Sequence, residues 1–357
     1  MAARHILTFA QTLQGGGVER AQLRLARGWI DAGRRVTLMI GSSAGPLATE
    51  LPPGLEIVDL GSAAYSALYQ LPLHVRRNAP DVLFCPGNHY TSVAAWTRMR
   101  LGRACPPIVA KISNALIRPD QGFAVARGYA AWLRLHPLFL DAAVAMTGGM
   151  RAEAIAAMHM PADRVTVIPN PPALPIPCAA PIRLPAGRFI LGVGRLAPQK
   201  RWDRLIAAMP RLDPTVSLLI LGEGAERGSL EAQVAALSLE SRVAMPGHVA
   251  DPLPATAHAT VTVLTSDFEG VPGVLRESLA LGTPVVATDS SVGVREIVDS
   301  PDLGTIVAPD DPEALIAALE YWLAPGRARP VPVQASEPDP AASYLALFDR
   351  IVDQRRR

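Results

Sequence analysis

Seven prolines crowd residues 169–185 and separate two stretches of the same rhythm. Before them, apolar runs at residues 6–10, 36–40, 55–59, 82–85, 108–110 and 143–146 read as strands, with helix-spaced segments such as 18–32 between. After them the alternation restarts, with strands at 189–192, 217–221, 261–264 and 284–288 and helices at 202–209, 227–237, 275–281 and 312–323. Strand–helix alternation predicts α/β layers around a parallel sheet. Each proline removes a backbone donor, so residues 169–185 hold neither helix nor central strand and serve as a stiff linker. A chain of 357 residues also exceeds what one core ordinarily supports. The expectation is two similar domains, residues 1–170 and residues 171–340, the second including the linker. A second proline cluster at 325–340 precedes a final amphipathic helix in the segment 341–357.

Hydrophobic residues make up 49% and charged residues 18%, a balance that excludes disorder as the main state. Cys85, Cys105 and Cys178 are scattered and lack metal spacing, so they read as reduced structural thiols of a cytoplasmic protein. The longest uncharged stretch, 165–182, carries six prolines and cannot be a spanning helix. No signal-peptide pattern opens the chain. The net charge of +2 hides an asymmetry: residues 1–178 hold 17 Lys+Arg against 10 Asp+Glu, residues 179–357 hold 17 against 22. The basic first half favours an anionic partner. Only Lys111 and Lys200 are lysines in an arginine-biased chain.

Two segments carry chemistry. In the first, Arg195 and Lys200 stand five apart across a strand-to-helix turn, beside the positive end of a helix dipole. That arrangement suits a diphosphate, although a solvated loop has the same composition. In the second, Glu269 and Glu277 stand eight apart, one in a loop and one inside the following helix, whose first N–H groups lie between them. One carboxylate can accept hydrogen bonds from ribose, the other from a sugar, and the backbone donors suit phosphate oxygens. The alternative is a solvated helix face.

These segments, with Gly222-Glu223-Gly224, Pro246-Gly247-His248-Val249, Gly15-Gly16-Gly17-Val18-Glu19-Arg20 and Val167-Ile168-Pro169-Asn170, occur in an order that resembles the family 4 retaining glycosyltransferases of the GT-B fold. The resemblance implies two Rossmann-like parallel-sheet domains facing a cleft. The second would hold a UDP- or GDP-linked sugar, and the last helix would pack back on the first. Carried over by residue, Arg195 and Lys200 neutralise the diphosphate, Glu277 binds ribose, and Glu269 contacts the transferred sugar beside Gly270. Gly16 and Gly17 close on the phosphates, Val274 and Leu275 offer backbone amides, and His248 and Val249 lie at the base.

The first domain departs from that pattern. Relatives carry a histidine near the reacting sugar, and here the candidates are His89 and Asn114. His89 also fits an ordinary satisfied histidine, whereas Asn114 ends a strand that faces the cleft. The glycine run lacks dinucleotide spacing and no Asp-x-Asp or metal cluster is present, so no cofactor and a metal-independent reaction are expected. The cationic pair and helix dipole would supply the electrostatics.

Residues 123–140 place Tyr129, Trp132, Leu138 and Phe139 with Arg127 and Arg134, which suits an anionic membrane surface or an amphipathic helix packed on its own sheet. Nothing resembles a nucleic-acid platform. The reading is a retaining hexosyltransferase, cytoplasmic and peripheral on the inner face of the cell membrane, acting on a lipid-linked saccharide in polysaccharide biosynthesis. A nucleotide-sugar binder without transferase activity, or an epimerase of the same fold, are the alternatives.

Overall fold

The computed structural model describes residues 2–14, 16–116, 122–173, 182–333 and 339–356; Gly15, Cys178 and the rest of residues 174–181 in the proline-rich segment lie outside them. The chain divides into two compact units, Met1–Pro171 with Glu337–Arg357, and Pro172–Ser336.

In unit 1 the order is β1 (His5–Thr12), α1 (Gly17–Asp31), β2 (Arg35–Ser42), β3 (Glu56–Asp59), α2 (Leu71–Asn78), β4 (Val82–Cys85), α3 (Thr91–Leu101), β5 (Ile108–Lys111), α4 (Phe123–Leu133), β6 (Ala142–Ala145), α5 (Gly148–Met158) and β7 (Val165–Val167). The strands form one seven-stranded sheet in the order β3-β2-β1-β4-β5-β6-β7, every neighbouring pair parallel. Burial on both faces explains the unbroken apolar runs of β4 and β6 and of β5 up to Lys111.

Unit 2 repeats the plan with β8 (Phe189–Val193), α6 (Trp202–Ala208), β9 (Ser217–Leu221), α7 (Arg227–Ala236), β10 (Val243–Gly247), α8 (Leu253–His258), β11 (Val261–Leu264), α9 (Gly273–Ala280), β12 (Val285–Thr288), α10 (Val292–Ile297), β13 (Gly304–Val307) and α11 (Pro312–Leu323). Its six-stranded parallel sheet has the order β10-β9-β8-β11-β12-β13. Side-chain caps set several helix starts. Thr147 accepts from Met150 N, Ser291 from Val294 N at 3.2 Å and Asp311 from Ala314 N at 2.9 Å, with Pro312 at the first helical position.

The chain then returns to unit 1 as α12 (Pro340–Arg356), which packs on α1. Trp29 of α1 meets Phe84 of β4 edge-on at 5.2 Å and Phe348 of α12 at 5.3 Å. A Cβ on Gly28 would lie 2.5 Å from that of Ala341, so α12 seats only over a residue without a side chain. Arg34 pairs with Asp349 at 3.0 Å and ties the helix to the turn between α1 and β2.

Two expectations are corrected. Residues 123–140 are not one helix: α4 stops at Leu133 and a separate 3₁₀ turn, His136–Leu138, follows around Pro137, which has no N–H to continue a helix. The short strands β7, β10 and β13 were absent from the sequence pattern, and β10 contains Pro246, which an edge strand tolerates.

Candidate active site

In an open parallel sheet, ligands bind beyond the carboxyl ends of the strands where the strand order reverses. In unit 2 that point lies between β8 and β11. β8 leads into Arg195 and Lys200, and β11 leads into Glu269 and α9. The two charged segments therefore flank one switch point.

Close backbone contacts fix the first loop. Gly192 and Gly194 lie against the Trp202 ring, 2.7 and 3.3 Å from where their Cβ atoms would be. A Cβ on Gly222 would sit 1.9 Å from the Gly194 carbonyl oxygen, and one on Gly224 2.2 Å from that of Leu196. The Gly222-Glu223-Gly224 turn is thus a backbone support for the Arg195 loop, and Leu196 N donates to Glu223 O at 2.9 Å. The Trp202 indole N–H donates to the Arg195 carbonyl at 3.0 Å. The Arg195 side chain is exposed and has no carboxylate partner among the described residues.

The second loop is laced onto the first. Thr265 Oγ1 donates to the carbonyls of Lys200 and Arg201, Asp267 N donates to Gln199 O, and Gln199 Nε2 donates to Phe268 O at 2.7 Å. Asp267 takes Arg204 at 2.7 Å. At the centre Lys200 Nζ lies 2.5 Å from Glu269 Oε1, which also accepts from Ser266 Oγ at 2.6 Å. Glu269 is 8% exposed, so its charge is stabilised by these two donors and not by bulk water. Glu269 N donates to Ser290 O, and Ser291 Oγ donates to Gly270 O at 2.7 Å. Gly293 fits under that same carbonyl, where a Cβ would approach to 2.4 Å.

An ammonium has three donors, so Lys200 can hold Glu269 and still turn to a phosphate oxygen. Val274 and Leu275 lie in the first turn of α9, where N–H groups lack the usual acceptor four residues back; Leu275 N donates to the carbonyl of the cap residue Pro272 at 3.2 Å. Leu275 is also buried against Leu264 and Leu279, which anchors that turn. Glu277 is half-buried on the same helix, facing Gly273. Burial depresses the neighbouring Arg276 guanidinium, and the Glu277 charge opposes that effect. His248 is exposed after Gly247, whose φ of +102° only glycine adopts easily. Val249 packs beside the β8–β9 cluster.

In unit 1 the order reverses between β1 and β4. β1 leads to Gly16 and Gly17, and β4 leads to His89. A Cβ on Gly16 would lie 2.4 Å from Glu19 Oε2, so glycine lets the Glu19 carboxylate fold back over the turn; Gly17 has open space instead. His89 is exposed, with its ring 3.8 Å from that of Tyr90 and its carbonyl accepting from Tyr65 OH at 2.8 Å. Asn114 is half-buried and is joined to β4 through Asn88, which the sequence reading passed over. Asn88 Oδ1 accepts from Ser113 Oγ at 3.0 Å, and its Nδ2 points to Asn114 O and Tyr129 OH, each at 3.5 Å. The one available signal was its place right after Gly87 at a strand end. Lys111, at the end of β5, is 2% exposed; burial lowers its pKa to about 8, against the charge of Glu19. Among the described residues no group of His, Cys, Asp and Glu could hold a metal ion.

Two parallel-sheet α/β domains with such switch points are the GT-B architecture. The Anabaena HepE structure, in complex with UDP and glucose, has a similar fold, with a TM-score of 0.72 at 20% identity over 99% of this chain and 95% of that one. A family profile described as glycosyl transferases group 1 matches residues 183–335, and a glycosyl transferase 4-like domain matches residues 16–171. The chain belongs to the family 4, group 1 glycosyltransferases. A 136-residue stretch is 37% identical to N-acetylgalactosamine-N,N'-diacetylbacillosaminyl-diphospho-undecaprenol 4-alpha-N-acetylgalactosaminyltransferase of Campylobacter jejuni, covering 38% of this chain and 37% of that protein. Another, of 151 residues, is 34% identical to the lipopolysaccharide core biosynthesis glycosyltransferase LpsE of Rhizobium meliloti, covering 42% of each. The matches span less than half the length of either relative.

Proposed function

We propose that this protein is a retaining hexosyltransferase that moves a sugar from a UDP- or GDP-linked donor to a hydroxyl of a lipid-linked saccharide. The observation that carries the reading is the Lys200–Glu269 pair at the β8–β11 switch point, 2.5 Å apart and buttressed by Ser266. A departing diphosphate gathers negative charge. In this reading Arg195, Lys200 and the positive end of α9 would meet that charge, Lys200 being held in place by Glu269, which is how a preorganised site lowers a barrier. Glu269 would orient hydroxyls of the sugar and Glu277 those of ribose, with His248 and Val249 beside the base. Gly16 and Gly17 would close on the phosphates. No metal is needed for this electrostatic work. In the retaining scheme the leaving phosphate assists attack on its own face, so Asn114 and His89 would position the acceptor without acting as nucleophiles. The names of the Campylobacter and Rhizobium relatives, and the nucleotide in HepE, agree with this reading.

The site of action would be the cytoplasmic face of a membrane. No helix among the described residues is long and apolar enough to cross one. α4 and the turn after it present Phe123, 79% exposed, and Leu138, 77% exposed, with Arg127 stacked 5.4 Å from the Phe123 ring. Exposed apolar groups interleaved with arginine suit an anionic interface. The test is release of nucleoside diphosphate from a panel of UDP- and GDP-sugars on adding a polyprenyl-diphosphate saccharide. Acceptor-dependent release with the anomeric configuration kept supports the reading. Release without acceptor, inversion, or no binding of either nucleotide contradicts it.

A further inference from the structure

Two recesses on the α2–α3 face of unit 1 meet at Arg76. The smaller, about 190 Å³, is lined by Tyr69, Pro72, Leu73, Trp96 and Arg100 besides Arg76. The larger, about 530 Å³, is lined by Arg76, Pro80, Arg103, Pro106, Pro107 and Arg355 among others. It opens at the amino ends of β4 and β5, whereas His89 and Asn114 follow their carboxyl ends, so the groove is separate from the candidate active site.

The aromatic rings wall the small recess with their polar atoms already engaged, and the Arg100 guanidinium lies over one face of Trp96. Trp96 Nε1 donates to Tyr69 O at 3.1 Å and Tyr69 OH donates to Ser92 Oγ at 3.3 Å. The two rings meet edge-on at 6.1 Å and 86°, which makes a corner. A recess below the roughly 300–1,000 Å³ of whole-ligand pockets holds one ring-sized group, and an aromatic corner suits the C–H face of a pyranose. The charge around it is one-sided. Arg100 lies 5.3 Å from the Trp96 ring, and Arg355 Nη2 donates to Arg103 O at 3.0 Å, which fixes two of the guanidinium groups at the rim. None of Arg76, Arg100, Arg103 and Arg355 has a carboxylate partner among the described residues. Four arginines stand against one acid in the lining, Asp81, which accepts from the backbone N–H groups of Arg4 and His5 at 2.9 and 3.1 Å. Guanidinium groups beside a ring-sized aromatic corner are complementary to a sugar chain that carries carboxylate or phosphate groups.

We propose that the α2–α3 groove of unit 1 binds an acidic oligosaccharide, one ring against Tyr69 and Trp96 and its anionic groups on Arg76, Arg100, Arg103 and Arg355. The groove would hold a part of the glycan remote from the bond being made. The choice of a saccharide rests on the glycan-synthesis reading above, but binding is measured without turnover, so the two fail separately. A bilayer engages projecting apolar side chains, whereas here the rings wall a recess.

The test titrates the full chain with a hyaluronan hexasaccharide, with neutral maltohexaose and with phosphatidylglycerol vesicles, at low and high salt. The hyaluronan fragment should bind roughly tenfold more tightly than maltohexaose and weaken as salt rises. Arg76→Glu with Arg103→Glu, both exposed positions, should lower that affinity at least about tenfold while UDP binding stays at the parent value. Trp96→Leu should weaken both saccharides. Equal affinity for the neutral and acidic chains, indifference to the arginine reversals, engagement of vesicles alone, or no binding at all would each overturn the proposal.

Discussion

The two switch points have the same topology and opposite chemistry. In unit 2, β8 and β11 open into loops cross-tied by side-chain to backbone hydrogen bonds and closed by the Lys200–Glu269 pair. In unit 1, β1 opens into the Gly16-Gly17 turn under the Glu19 carboxylate, and β4 opens into Asn88, which accepts from Ser113 at 3.0 Å and reaches Asn114 O and Tyr129 OH at 3.5 Å. The charge balance follows the same division. Unit 1 carries 21 Lys+Arg against 14 Asp+Glu and unit 2 carries 13 against 18, yet the Arg195 and Lys200 pair is in the acidic unit. A site for a diphosphate needs a few cations fixed in place, whereas overall charge acts at longer range on docking and encounter. On the proposed reading unit 2 holds one anion with a few placed cations, whereas the surplus of unit 1 acts over a wider surface.

The largest expected effect comes from removing the central cation. Lys200→Ala should lower turnover at saturating donor by roughly 100- to 1,000-fold, because the contact strengthens as the diphosphate departs. Turnover within twofold of the parent would place the cation outside the reaction. The same variant leaves Glu269 nearly buried without its partner, so its melting temperature should be recorded beside its rate.

Gly222→Ala separates support from chemistry. The new Cβ would be 1.9 Å from the Gly194 carbonyl and must push the Arg195 loop away. Overpacking of this kind costs about 1–3 kcal/mol, which for a unit of this size is roughly 2–4 °C in melting temperature per kcal/mol. Scanning calorimetry that finds unit 2 unchanged would show that the turn is not a rigid support.

On unit 1, replacing Arg127 and Arg134 with glutamate should abolish sedimentation with anionic vesicles, since each basic residue near such a surface contributes about 1 kcal/mol. UDP binding should be unaffected. Vesicle binding that survives both reversals would move the membrane contact away from α4.

The smallest effect is expected at Glu277. Glu277→Gln keeps the shape and removes the charge, so ribose loses about 1 kcal/mol of charge-assisted acceptance, or roughly fivefold in affinity. Unchanged affinity by calorimetry would make Glu277 an ordinary helix-surface residue.

The same contrast decides what was legible in the sequence. The central strands read directly, because a parallel sheet buried on both faces turns β4, β5, β11 and β12 into continuous apolar runs. Three edge strands did not: β7, β10 and β13 are partly exposed, so their apolar signal is diluted, whereas β3 read as a strand despite its exposure. The cations and carboxylates of unit 2 stood out because each lies in one contiguous loop with Gly and Pro framing. Their mutual contact did not, since Lys200 and Glu269 are 69 residues apart and only the β8–β11 adjacency joins them. In unit 1 the cluster draws on Asn88, Ser113 and Tyr129 from three separate segments. A lone asparagine at a strand end carries no pattern until the neighbouring strand is placed.

The central claim is that unit 2 recognises the diphosphate and that the polar cluster of unit 1 does not. Calorimetric titration of UDP and GDP into the parent, Lys200→Ala and Asn88→Ala proteins tests it directly. One nucleotide should bind the parent, bind Lys200→Ala at least about tenfold more weakly, and bind Asn88→Ala with unchanged affinity. An equal loss in both variants, or no binding of either nucleotide by the parent, would contradict the account.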